Sequence, residues 1–78
     1  MWTVYILKCA DGHYYTGCTS DLEDRMQRHC CGHVPATQNR RPVKLVTYIA
    51  FSEKQKAYDF EKYLKTGSGR AVMYKRLV

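Results

Sequence analysis

Five side chains in this sequence have the types and the order to act on a phosphodiester: Tyr5, Tyr15, Arg25, His29 and Glu61. Two phenols, a guanidinium, an imidazole and a lone carboxylate are the parts that metal-assisted cleavage of such a bond uses. Arg25 has planar donors that match two phosphate oxygens at once. His29 titrates near neutrality and can relay a proton or hydrogen-bond the attacking group. A tyrosine acting as a general base needs its pKa pulled well below about 10, and a neighbouring guanidinium and cation push it that way. Glu61 shares the helical stripe Ala57, Phe60, Glu61, Leu64. An unpaired carboxylate there is costly to bury, and a bound cation or an arginine relieves it.

Each residue also has an ordinary reading. Strand tyrosines usually pack in sheets. Arg25 has Asp21 four residues away as a surface partner. A lone helical histidine is more often half-buried than functional, and a glutamate at the edge of a stripe can simply reach water. Gly17 leaves room opposite Tyr5 for a phosphate or backbone to approach, or else marks a bulge that ends a strand.

The elements that must position these residues follow from pattern. Trp2–Cys9 (WTVYILKC) is β-branched and aromatic with too little alternation for a one-sided strand, so it should be covered on both faces. His13–Cys18 is a second, shorter strand. A loop of Ala10-Asp11-Gly12 pairs Cys9 with His13, in a type I turn closed by a left-handed glycine. In that register Leu7 opposes Tyr15, Tyr5 opposes Gly17, and both tyrosines share a face. A loop of Asp11-Gly12 alone would put them on opposite faces.

Ser20-x-x-Glu23 reads as a capping box, with a helix from about Asp21 to Cys30 whose apolar stripe is Leu22, Met26 and Cys30. Arg25 and His29 stack beside that stripe. Gly32–Pro42 is a loop, and Val43–Phe51 a third strand. Ser52-x-x-Gln55 caps a second helix from Glu53 to about Thr66, Gly67-Ser68-Gly69 breaks it, and Arg70–Leu77 forms a short last helix. Ala71, Met73 or Tyr74, and Leu77 are its candidate inward residues. The order is β-β-α-β-α-α, and a three-stranded sheet with helices packed on it is the economical fold.

The chain has 78 residues, room for one domain (1–78) with one modest core. No apolar run approaches the roughly 18 residues of a membrane span, and no leader pattern precedes the first strand. The expectation is a soluble intracellular protein, cytoplasmic or associated with the nucleoid or nucleus. Thirteen Lys and Arg against seven Asp and Glu give a net charge of +6, which favours polyanions through counterion release. Four cysteines, Cys9, Cys18, Cys30 and Cys31, read best as buried or half-buried free thiols. Cys30, Cys31 and His33 would be the core of a zinc- or redox-responsive alternative, but no C-x-x-C pair is present.

Taken together, Val4-Tyr5-Ile6, then Tyr15-Thr16-Gly17, then Arg25 and His29, then Glu61 resemble the GIY-YIG nuclease domain. The resemblance covers nearly the whole chain and is nearest to the stand-alone minimal members of the family. Val4 replaces the first glycine of the motif and Thr16 the isoleucine. Many members carry an asparagine near the C-terminus, whereas here the only asparagine is Asn39.

The resemblance implies an α/β (α+β) sandwich with a central three-stranded antiparallel sheet. It implies a one-step, divalent-metal-dependent hydrolysis of DNA. Tyr5 would be the general base or water activator, and Tyr15 would hydrogen-bond the site or the scissile phosphate. Arg25 would stabilise phosphate charge, and His29 would assist proton movement near Tyr5. Glu61 would hold a single Mg²⁺ or Mn²⁺, since one carboxylate suits a one-metal site. Branched or flapped DNA is the expected substrate, with RNA left open. Gly17, Arg28, Arg40, Arg41, Lys44, Lys65 and Arg70 are the expected nucleic-acid contacts. A homodimer would supply the second strand cut that one site cannot. The rival is a non-catalytic nucleic-acid-binding or regulatory module on the same fold, which would have no need of all five residues.

Overall fold

The computed structural model describes Met1 to Val78. β1 (Trp2–Lys8) and β2 (Tyr14–Thr19) form the hairpin, followed by α1 (Leu22–Cys30) and a single 3₁₀ turn at Gln38–Arg40. β3 (Lys44–Phe51), α2 (Lys54–Leu64) and α3 (Gly67–Val72) complete the order, and Met73–Leu77 continues α3 in wider π-type turns. The sheet is antiparallel throughout, in the order β2-β1-β3.

The central strand is buried on both faces, as its lack of alternation requires: Val4, Tyr5, Ile6 and Leu7 are all at most 1% exposed. Val4 and Ile6 join Cys18, Ala57, Leu64 and Met73 in the apolar core beneath α2 and α3. Tyr5 faces the other way, toward α1. The outer strand β3 alternates between exposed and half-buried residues, with one bulge opposite Ile6 and Leu7.

The hairpin takes the three-residue loop. Cys9 N–H donates to His13 O at 2.9 Å, Gly12 N–H donates to Cys9 O at 3.0 Å, and Gly12 has φ +85°. Tyr5 therefore pairs with Gly17 and Leu7 with Tyr15. The Asp11 carboxylate locks the turn by accepting from His13 N–H at 2.9 Å.

Helix ends differ from the expected ones for local reasons. Thr19 Oγ1 accepts from Asp21 N–H at 3.0 Å, which moves the start of α1 one residue on. The cap is Asp21 rather than Ser20, with Asp21 Oδ1 accepting from Asp24 N–H at 3.0 Å. α1 closes on Gly32 (φ +78°), where Gly32 N–H donates to His29 O and His33 N–H to Arg28 O, a Schellman motif. Cys30 is exposed, and His29 takes the buried position on this helix instead.

At α2 the cap position is Glu53 and no side chain caps the helix, so the expected box at Ser52 and Gln55 does not form. The break between α2 and α3 falls at Lys65-Thr66, where Thr66 Oγ1 accepts from Gly69 N–H at 3.1 Å. The glycines are the first turn of α3, not the break. A Cβ on Gly69 would overlap the Tyr63 carbonyl, so glycine there permits the close approach of the two helices. Of the expected inward residues, Met73 is buried and Leu77 half-buried, whereas Ala71 and Tyr74 are exposed.

Candidate active site

The site is built around the Tyr5 ring. Tyr5 projects from the central strand and crosses its register partner Gly17. A Cβ on Gly17 would overlap the Tyr5 Cζ and hydroxyl oxygen and stand 2.8 Å from Cε1. The space that the sequence reserved for an incoming phosphate is thus filled by the phenol itself. Gly17 is the residue that lets Tyr5 lie across β2.

The Tyr5 hydroxyl oxygen is 2.9 Å from His29 Nε2, and His29 Nδ1 is 2.7 Å from Thr37 Oγ1. Tyr5, His29 and Thr37 are each 0% exposed. This is a buried hydrogen-bonded chain with two proton arrangements. Either Tyr5 O–H donates to Nε2 while Nδ1–H donates to Thr37, or Thr37 O–H donates to Nδ1 while Nε2–H donates to the phenol oxygen. The second arrangement leaves the phenolic proton free to serve an outside group. Thr37 sits just ahead of the 3₁₀ turn, its N–H donating to Val34 O at 3.0 Å. It was missed in the sequence, since an isolated polar loop residue carries no periodic signal.

Electrostatics correct one expectation. Burial pushes the Tyr5 pKa up to about 12, the Tyr15 phenol adds to that, Arg25 opposes it, and Glu61 adds a little more. Arg25 is present as expected, but the loss of water outweighs it. Burial also lowers the His29 pKa, and the Arg25 charge lowers it further. At neutral pH the imidazole and phenol are therefore both neutral.

Tyr15 lies beside this pair, its ring centroid 6.4 Å from Tyr5 and 5.3 Å from His29. It is half-buried, so it is the phenol of the two that reaches solvent. Arg25 is half-buried and takes part in none of the four ion pairs. The alternative of a pair with Asp21 does not form. Its charge acts on Tyr5, His29 and Cys18.

Glu61 approaches from the α2 layer, on the far side of the sheet from α1. Its side chain is 16% exposed and its Oε2 accepts from Lys65 Nζ at 2.8 Å. Its charge raises the pKa of both Cys18 and Tyr5, where Arg25 acts in the opposite sense. Neither surface cavity is lined by Tyr5 or by Glu61, so the structure does not bring the two into one shared pocket.

No group of three or more His, Cys, Asp and Glu side chains comes together. Cys9 and Cys18 are buried and Cys30 and Cys31 exposed, all as free thiols. The fit to a metal therefore rests on Glu61 alone. A single, largely buried carboxylate suits Mg²⁺, which commonly takes one or two carboxylates and completes its shell with water and phosphate.

The expected nucleic-acid contacts divide. Arg40 Nε pairs with Asp11 Oδ2 at 2.9 Å, and Arg28 Nε with Asp24 Oδ2 at 3.0 Å. Arg41 Nε donates to Gln38 O at 3.0 Å and its guanidinium covers Gly32. These three have work within the fold. Lys44 is exposed on β3 opposite Lys8. Lys65 and Arg70 line the larger surface cavity, of about 380 Å³, together with Tyr15.

Comparison with known proteins gives the family. The profile of the GIY-YIG catalytic domain matches residues 1–75. The chain is 41% identical over 68 residues to UPF0213 protein BH0048 of Halalkalibacterium halodurans, covering 86% of this chain and 72% of that one. It is 47% identical over 64 residues to UPF0213 protein CPE1444 of Clostridium perfringens, covering 80% and 68% respectively. The solution NMR structure of UPF0213 protein BH0048 from Bacillus halodurans superposes with a TM-score of 0.61 at 34% identity, over 96% of this chain and 84% of that one. The chain belongs to the GIY-YIG family, among relatives named UPF0213 proteins.

Proposed function

We propose that this protein is an endonuclease that hydrolyses DNA phosphodiester bonds with a divalent ion, Mg²⁺ or Mn²⁺, held at Glu61, and that it acts at branched or flapped DNA. The observation that carries the reading is the sealed chain Thr37–His29–Tyr5 ending over Gly17, with an unpaired Arg25 beside it. Family membership supports nuclease activity as the class.

In this reading Arg25 binds the scissile phosphate through paired N–H donors and offsets the charge that develops in the transition state. Tyr15 is the phenol that contacts water or phosphate, because Tyr5 has no exposed surface. This revises the roles expected from the sequence. Tyr5 and His29 hold a proton between them, and Thr37 fixes the imidazole for that task. When bound, the ion would polarise a phosphoryl oxygen and acidify its water. Glu61 holds it once Lys65 has left the carboxylate.

A second reading has one observation in its favour. Tyr5 is sealed and Glu61 is already paired with Lys65, as would suit a module that binds nucleic acid without cutting it. Incubating the purified chain with labelled linear, flapped and four-way DNA, with Mg²⁺ or with EDTA, separates the two. The endonuclease reading expects Mg²⁺-dependent nicks concentrated on the flapped or four-way substrates. Salt-sensitive binding with every substrate left whole would favour the binding module.

A further inference from the structure

Apart from Tyr15, the lining of the larger surface cavity lies outside the hydrolytic cluster. The cavity opens along the free edge of β2, with Leu64 and Met73 as its apolar floor and Tyr14, Tyr74, Lys65 and Arg70 around it. We propose that this cavity is a nucleotide subsite, which takes one unpaired nucleotide of the substrate strand. The base packs against Tyr14 and Tyr74, and the nucleotide's own phosphate meets Arg70. The inference rests on the nucleic-acid reading above and adds the substrate's form to it.

Chemistry and size both point this way. Tyr14 and Tyr74 pack edge to face at 5.7 Å, and Tyr74 is 57% exposed, so ring surface remains for a planar partner. Base–aromatic stacking accepts any base, which suits an enzyme without base-specific readout. Arg70 is exposed and has no acidic partner. A free phosphate would use only the cations, and an uncharged aromatic only the rings; a nucleotide uses both. The volume of about 380 Å³ falls at the low end of small-molecule sites, roughly 300–1,000 Å³. That is the scale of a single nucleotide, so an unpaired strand is the form of substrate that fits it. Tyr15 borders this cavity, while its ring packs with Tyr5 and His29 on the α1 face of the sheet.

The test is binding in EDTA, followed by amide chemical shifts of the whole chain. The probes are a single-stranded tetranucleotide, a blunt duplex of the same sequence, and inorganic phosphate. The tetranucleotide should move the resonances of residues 14–16 and 70–74. Arg70→Gln and Tyr74→Ala should each weaken its binding about tenfold while the remaining spectrum stays native, since both side chains are exposed. Shifts confined to other surfaces would overturn the proposal. So would phosphate binding as tightly as the tetranucleotide, or affinity for the tetranucleotide unchanged in both variants. No cleavage is measured, so a negative result here leaves the hydrolytic reading standing, and absence of cleavage elsewhere leaves this result standing.

Discussion

The Tyr5 ring lies over the α-carbon of Gly17, its register partner, so that no side chain can be added at 17 without displacing the phenol. The glycine of the second motif therefore serves the tyrosine of the first. Gly17→Ala should expel the ring and break the contact with His29. The expected cost is about 1–3 kcal/mol, the usual range for overpacking a tight core. Urea denaturation would measure it, with loss of nicking as the companion result. A variant of native stability would show that the ring has room to move aside.

Thr37 should matter beyond its share of stability. Thr37→Val keeps the shape but leaves His29 Nδ1 buried without a partner, at a cost of roughly 1–3 kcal/mol. It should also change the tautomer balance of His29, which ring nitrogen chemical shifts read directly. Thr37→Ser should restore both. Ring shifts that stay the same in Thr37→Val would remove Thr37 from the proton chain.

The pH dependence has a definite sign on each side of neutrality. His29 has a lowered pKa in the fold, so the unfolded chain takes up a proton first as pH falls. Stability from this group is full above about 6.5 and declines as pH drops through that value toward the lower folded pKa. Asp11 acts in a lower window. Its pKa is depressed by the His13 N–H and by Arg40, so its contribution is lost only as pH falls below the ordinary carboxylate range. Tyr5 works from the alkaline side: with its pKa raised to about 12, its contribution is full below about 10 and lost as pH rises from there. Ultraviolet titration should find one of the seven tyrosines ionising late, and Tyr5→Phe should abolish that step.

Lys65 should compete with metal. Its ammonium lies 2.8 Å from the only carboxylate available to hold the ion. Lys65→Gln should raise Mn²⁺ affinity up to about fivefold, the scale of a partly exposed ion pair. Paramagnetic relaxation of solvent water would report it. Weaker or unchanged Mn²⁺ binding would place the ion away from Glu61.

Much of this was legible because its signals are local. The three-residue Ala10-Asp11-Gly12 loop fixes the hairpin register, and that register puts Tyr5 across from Gly17. The stripe of Ala57, Phe60, Glu61 and Leu64 follows helical period, and in α2 Ala57 and Leu64 are buried while Phe60 and Glu61 are half-buried. The spacing of Glu61 and Lys65 was also present to be read as an i, i+4 pair. What escaped depends on contacts between distant segments. Thr37 meets His29 only because the loop folds back over α1, and Arg40 is drawn from the basic surface by Asp11 in the hairpin turn. The sign of the Tyr5 shift depends on how much water the fold removes, which the presence of Arg25 in the sequence does not reveal.

The central claim is that the guanidinium of Arg25 and an ion held by the carboxylate of Glu61 act on one phosphate. Nicking of a labelled flapped DNA in Mg²⁺ by Arg25→Ala and Glu61→Ala, beside the unaltered chain and with DNA binding measured on the same preparations, tests it most directly. The account predicts that the unaltered chain nicks, and that both variants fold and bind DNA but do not cut. Cleavage surviving in Glu61→Ala, or persisting in EDTA, would contradict it.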